Sequence, residues 1–217
     1  MQLPEAAGNG NEVASAEHSF DAISDTLKKV GAVLRDNQIP YLLGGSLAFW
    51  AHGGPERRKD LDFMIKPKDA DRALEALEAE GLRAEKPPEG WLFKAWDGEV
   101  LVDLIFRPKG MEIDDEVIAR GEDIEVLAMP IKVMALEDVL CTKLLALHEH
   151  YVDYSGLLQM ARSLREKVDW DDVRARTDRS PFARAFFTMI EGIGIIGDGD
   201  PADGGGRTEV RVVEPSR

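Results

Sequence analysis

The fold is decided in 40-PYLLGGSLAFWAHGGPERRKDLDFMI-65. Pro40 has no backbone N–H and a fixed φ, so it forces extended entry into a strand over 41–43. Gly44 and Gly45 turn the chain, and Ser46 is placed to cap a short helix running to about His52. After a loop with two more glycines, 61–65 reads as a second strand. Residues two apart on a strand point the same way. Asp60 and Asp62 therefore share one face, and Leu61, Phe63 and Ile65 take the other. A Gly-Gly turn beside two carboxylates on one strand face organises the rest of the reading.

Working outward, Phe20, Ile23, Leu27, Val30 and Leu34 recur at helical spacing and mark an amphipathic helix ahead of the strand. Past the second strand, Pro67 and Lys68 open a helix with Ala70, Ala73, Leu74 and Leu77 on its apolar face, stopped by Gly81. Segments 91–96 and 99–106 read as a β-hairpin, with Asp97-Gly98 as a type I′ turn. Two more short strands are expected at 123–127 and 131–134. From Leu136 to about Ile193 the period becomes helical. Four segments follow: a tail at 1–17, an α/β domain at 18–135, a helical domain at 136–196 and a second tail at 197–217.

The chain has 217 residues, 44% hydrophobic and 31% charged, enough for a real core. No apolar run is long enough to span a bilayer, and the N-terminal residues lack the basic start and apolar stretch of a secretory signal. Cys141 stands alone, so no internal disulfide forms, and a cytoplasmic protein is the simplest reading. The net charge of −14 argues against broad nucleic-acid coating. Arg57-Arg58-Lys59 is a local exception, adjoining Asp60.

The segment Leu101-Val102-Asp103-Leu104-Ile105-Phe106 is apolar on both faces except at Asp103. Such a strand is buried on both faces, where a lone ionised carboxylate needs a partner. Three acidic side chains on neighbouring strands repel one another, and a divalent cation relieves that repulsion. Hard oxygen donors without a His or Cys cluster point to Mg2+ or Mn2+ rather than Zn2+. The glycine turn is the complement, since close backbone approach and free N–H groups suit a phosphate. Plain readings exist for each part: a tight turn, a surface D-x-D, and an Asp103 ion pair with Arg57 or Arg58. The order of all three parts together is far more specific. His52, His148 and His150 read as surface or packing residues rather than ligands. Trp91, Phe93 and Trp96 read as core, with base stacking as the lesser alternative.

Gly-Gly-Ser, then D-x-D, then a third Asp on a later strand resembles the DNA polymerase beta-type nucleotidyltransferase superfamily, over roughly residues 20–106. The resemblance implies an α/β (α+β) fold with a mixed β-sheet flanked by helices and followed by a helical region. It implies that Gly44, Gly45 and Ser46 hold an NTP's triphosphate, with Arg58 beside them. It also implies that Asp60, Asp62 and Asp103 bind Mg2+ (or Mn2+), with Asp103 helping to activate an acceptor hydroxyl. Within the superfamily the chain is similar to bacterial toxins of abortive-infection and type IV toxin–antitoxin systems, some of which modify tRNA; this implies a cognate antitoxin as partner. Lys143 and Asp153 match the later lysine and acid of that group. Glu56, Arg58 and Gly156 depart from it, standing where an Arg, a small hydroxyl residue and a second Asp are expected.

Lys143 has its own physical signature. It falls within the stripe Leu136, Val139, Leu140, Leu144, Leu147, where an ammonium needs solvent or an anion. It either snorkels at the edge of the stripe or reaches nucleotide phosphates and joins the catalytic set. The reading that follows is an enzyme moving an NMP group from an NTP to a hydroxyl of tRNA, protein or an aminoglycoside-like small molecule. The competing classes are a noncatalytic nucleotide-binding module, which loss of one carboxylate would favour, and a helical half devoted to antitoxin binding or self-association.

Overall fold

The computed structural model describes residues 20–55 and 60–197. Helix α1 (Phe20–Asp36) leads into β1 (Tyr41–Leu43), α2 (Gly45–Ala51) and β2 (Leu61–Ile65). A 3-10 turn at Pro67–Asp69 runs into α3 (Ala70–Ala79), followed by β3 (Arg83–Glu85) and the hairpin β4 (Leu92–Asp97) and β5 (Val100–Ile105). Then come α4 (Asp115–Arg120), β6 (Glu122–Val126), β7 (Met129–Val133) and the helices α5 (Leu136–Ala146), α6 (Ser155–Leu164), α7 (Trp170–Thr177) and α8 (Pro181–Gly192). The expected α1, β1, β2, α3 and hairpin are all present. The expected tails lie outside the described residues, apart from Gly197.

The seven strands form one mixed sheet in the order β3-β4-β5-β2-β1-β7-β6. Strands β2 and β5 run parallel, as do β1 and β7, and the remaining neighbours are antiparallel. β5 lies inside the sheet; Val102 and Leu104, on one face, are fully buried, but Leu101 and Asp103 on the other are only half-buried, which corrects the expectation of a strand buried on both faces. Helices α1 and α3 pack on each other and on β5, while α2 lies on β2 and meets α5. One continuous core joins both halves of the chain, from Leu27 and Phe63 to Phe186 and Phe187. No helix among the described residues is long and apolar enough to cross a membrane.

One further feature differs from the sequence expectation, and a second has no counterpart there. The hairpin turn is centred on Gly98 and Glu99, not on Asp97 and Gly98: Asp97 pairs with Val100, and Gly98 takes φ +60°. Asp97 is held in β4 because its carboxylate accepts from Thr26 Oγ1 at 3.0 Å and Lys29 Nζ at 2.9 Å, both on α1. The second feature is a buried charge. Asp138 of α5 is fully covered and accepts from Arg120 Nε at 3.2 Å, Arg120 Nη2 at 3.1 Å and Arg176 Nη2. This carboxylate ties α4 of the α/β half to α5 and α7 of the helical half.

Candidate active site

Asp62 and Asp103 are register partners on the parallel strands β2 and β5. Their side chains therefore stand next to each other on one face of the sheet. Burial among protein atoms pushes the Asp62 carboxyl up to about 7, and the charges of Asp103 and Asp60 push the same way, against Lys143 and Lys94. Burial also raises the Asp103 carboxyl, with Asp60 adding to it and Lys94 opposing it. Asp60 lies just ahead of β2, exposed, at the rim. The charge of Asp60 acts on both Asp62 and Asp103, and that of Asp103 acts on Asp62.

The glycine turn is built around Asp62. Gly45 takes φ +59°, and a β-carbon there would lie 1.7 Å from Asp62 Oδ2. Gly44 donates its N–H to the Asp62 carbonyl at 2.8 Å, and a β-carbon on it would lie 2.7 Å from Met64 Cε. Gly45 is thus needed for α2 to start against β2, while at Gly44 the flexible Met64 tip can give way. Ser46 does not cap the helix as expected. α2 begins one residue earlier, at Gly45, with Gly44 as an N-cap that offers no side-chain bond. The cause is the left-handed turn at Gly45, which an L-residue would resist.

Two lysines face the carboxylates. Lys94 of β4 is the cross-strand partner of Asp103, with Nζ 3.6 Å from Oδ1. That oxygen is buried and has no hydrogen-bond partner. Lys94 is thus an ion-pair partner of Asp103; the alternative pair with Arg57 or Arg58 falls on residues outside those described. Lys143, half-buried on α5, comes near enough for its charge to act on Asp62. One charged group of the helical half thus lies near the carboxylate pair. Arg58, with Glu56, Arg57 and Lys59, lies outside the described residues. Asp153 is exposed and accepts from the Ser155 N–H at 2.9 Å.

The residues set aside in the sequence mostly stay aside. His52 Nε2 lies 2.9 Å from the Met134 carbonyl oxygen, a packing contact. His148 and His150 are exposed, their rings 6.2 Å apart. Phe93 packs on Phe106 with ring centroids 4.7 Å apart, and Arg83 covers the Trp96 ring. Trp91 is a correction: it is 41% exposed, at the open start of β4, and not part of the core. Lys94 is the member of the site that sequence reasoning missed.

The donor set fits a hard cation in its chemistry. Two adjacent carboxylates on one face, both raised in pKa and one with an orphaned buried oxygen, would gain from a cation between them. The three acids do not yet converge on one point: among the described residues, no group of three or more His, Cys, Asp or Glu side chains is placed to hold a metal.

Likeness to known proteins bears on the fold and the family. No curated protein is similar to the chain in sequence. In solved structures, the fold is shared with ANT(2″)-Ia in complex with adenylyl-2″-tobramycin, at TM-score 0.54 and 15% identity, over 76% of this chain and 98% of that one. A solution structure of the antibiotic-resistance factor ANT(2″)-Ia matches at TM-score 0.54 and 16% identity, over 79% of this chain and 96% of that one. The Thermotoga maritima protein TM1012 matches at TM-score 0.46 and 18% identity, over 65% of this chain and 89% of that one. Residues 12–192 match the sequence family described as uncharacterised nucleotidyltransferase, and the chain belongs to that family.

Proposed function

We propose that the chain is a Mg2+-dependent enzyme that moves an NMP group from an NTP to a hydroxyl of a small molecule. The observation that carries this reading is the in-register pair Asp62 and Asp103, with the Gly45 backbone pressed against Asp62. A phosphate-binding turn would thereby adjoin the carboxylates that act on phosphorus chemistry. Gly44, Gly45 and Ser46 are the turn on which the triphosphate would lie, with Arg58 beside it. Asp60, Asp62 and Asp103 are the oxygen donors from which Mg2+ or Mn2+ would draw its ligands. The bound cation would supply charge neutralisation at the triphosphate.

The chain's own groups divide the remaining work. Asp103 takes the proton of the acceptor hydroxyl as its oxygen attacks the α-phosphorus. The bond from that phosphorus to the bridging oxygen breaks, and pyrophosphate leaves. Lys143, a point charge near Asp62, holds phosphate oxygens. Water is limited by the buried strands beneath the carboxylates.

A small-molecule acceptor is favoured by the net charge of −14, which repels a polyanion. The fold likeness to ANT(2″)-Ia, solved with adenylyl-2″-tobramycin, spans nearly all of that protein and points the same way. A tRNA acceptor, and with it a toxin held by an antitoxin, rests on Arg57-Arg58-Lys59 next to Asp60.

The test is incubation of the full chain with each α-labelled NTP, ATP first, and Mg2+. Separate reactions hold an aminoglycoside and lincosamide panel, total tRNA, and cell protein. Label on a small molecule, lost in Asp62→Asn and Asp103→Asn, supports the proposal. Label on tRNA alone transfers the assignment to the toxin reading. Nucleotide binding without transfer to any fraction would make the chain a noncatalytic module.

A further inference from the structure

Lys94 has a position that the reaction scheme above does not use. The hairpin places it directly opposite Asp103 on the neighbouring strand, so the two side chains leave the sheet on the same face. Its Nζ stands 3.6 Å from Asp103 Oδ1, within ion-pair range and just outside hydrogen-bond range. Asp103 Oδ1 is buried and has no other hydrogen-bond partner. Lys94 keeps 28% of its side chain exposed against 15% for Asp103, so the ammonium enters from the solvent side of the carboxylate. An ion pair at this separation in a half-buried setting is favourable.

We propose that Lys94 is the resident cation of Asp103: Asp60 and Asp62 furnish the protein ligands of a divalent ion, while Asp103 stays paired to Lys94 and free for the acceptor hydroxyl. The inference rests on the nucleotidyltransferase reading of the same site and refines it, since it takes Asp103 out of the metal set. Lys94 is then a positioning residue. It fixes the direction of the Asp103 carboxylate and neutralises one of three crowded negative charges without a second metal ion.

The test reads ligands rather than rate. Crystals of the full chain are soaked in Mn2+ alone, and the anomalous signal locates the ion. In the wild-type protein the ion is expected on Asp62 and Asp60, with Lys94 Nζ still facing Asp103. In Lys94→Met, which keeps the aliphatic stem and removes the charge, Asp103 is expected to join the ligands. Lys94→Arg keeps the cation and should keep the wild-type ligand set. A wild-type ion bonded to Asp103, with Lys94 turned away, overturns the inference and leaves the metal reading standing. So does a Lys94→Met protein in which Asp103 remains unbonded to the ion. Absence of any ion from the wild-type carboxylates removes the metal reading itself, and this inference with it. A merely structural cross-strand pair would lower the melting temperature of Lys94→Met and leave the ligand set as it was.

Discussion

Asp62 and Asp103 stand side by side in register, and Asp62 holds its proton up to a pH of about 7. Burial is the main cause and the neighbouring carboxylates add to it. In the unfolded chain Asp62 titrates at its ordinary value of 3.8. Between those two values the native state binds a proton that the unfolded state releases. The stability contributed by protonated Asp62 is therefore complete below the unfolded value and is lost as the pH rises through about 7. Asp62→Asn carries no charge at any pH. In EDTA it should be more stable than the wild type at pH 8, by up to a few kcal/mol, with the gain shrinking toward pH 5. Urea melts at the two pH values decide it, and a less stable Asp62→Asn at pH 8 would contradict the crowding of charge inferred here.

Gly45 carries two separate constraints. Its φ of +59° costs an L-residue roughly 1–2 kcal/mol. Its missing β-carbon leaves the space taken by the Asp62 carboxylate, which Gly45→Ala would expel. The substitution should destabilise by about 3 kcal/mol in the wild-type background and by about 1 kcal/mol in an Asp62→Gly background. Equal costs in the two backgrounds, measured as a double-mutant cycle, would mean that only backbone strain matters. Nucleotide binding should be lost in Gly45→Ala even where the protein remains folded.

The Lys143 ammonium lowers the Asp62 carboxyl, against the burial and carboxylate charges that raise it. Lys143→Met keeps most of the apolar volume in the stripe of α5 and deletes the charge, so the fold should hold. The Asp62 carboxyl, followed by carbon-13 NMR in EDTA, should then titrate at a higher pH than in the wild type. Transfer activity should fall about tenfold or more, as expected when a phosphate-holding charge is removed. An unchanged midpoint would place the ammonium away from Asp62, outside the site.

The sequence made much of this legible. Period and turn residues place α1, β1, β2, α3 and the hairpin, and period-two logic places Asp62 and Asp103 on strand faces. Lys94 was hidden by one residue of turn register. A turn centred on Asp97-Gly98 pairs Asp103 with Leu92, whereas the turn at Gly98-Glu99 pairs it with Lys94. Asp97 carries the stronger turn signal, but its bonds to Thr26 and Lys29 outweigh it, and those contacts are tertiary. Gly45 is read as a place of close approach to a phosphate; the approach seen in the structure is to Asp62, which no local pattern reveals. β3 and α4 are short, and their apolar residues are too few to show a period. For α4, Asp114 is an N-cap signal, accepting from the Val117 N–H at 2.8 Å, with Asp115 and Glu116 in the first turn.

Asp138 offers the clearest test of how the two halves are held together. It is fully buried on α5, and two arginines from different elements converge on it: Arg120 by two hydrogen bonds and Arg176 by one. Arg176 also bonds Asp172 at 2.8 Å within α7. Removing Asp138 leaves both guanidinium groups facing each other across an apolar gap. They are 45% and 29% exposed, so they reach water more readily than a fully buried pair would. Asp138→Ala should therefore destabilise by about 2–3 kcal/mol, toward the lower end for a broken buried pair. Asp138→Asn keeps the shape and one acceptor and should cost less. Because Arg176 retains Asp172, adding Arg120→Met to Asp138→Ala should recover part of the loss by removing a charge with no remaining carboxylate. Recovery in the double variant, read by urea denaturation, identifies charge pairing as the source of the stability. A loss that the second substitution leaves unchanged would assign it to packing at the base of α5 instead.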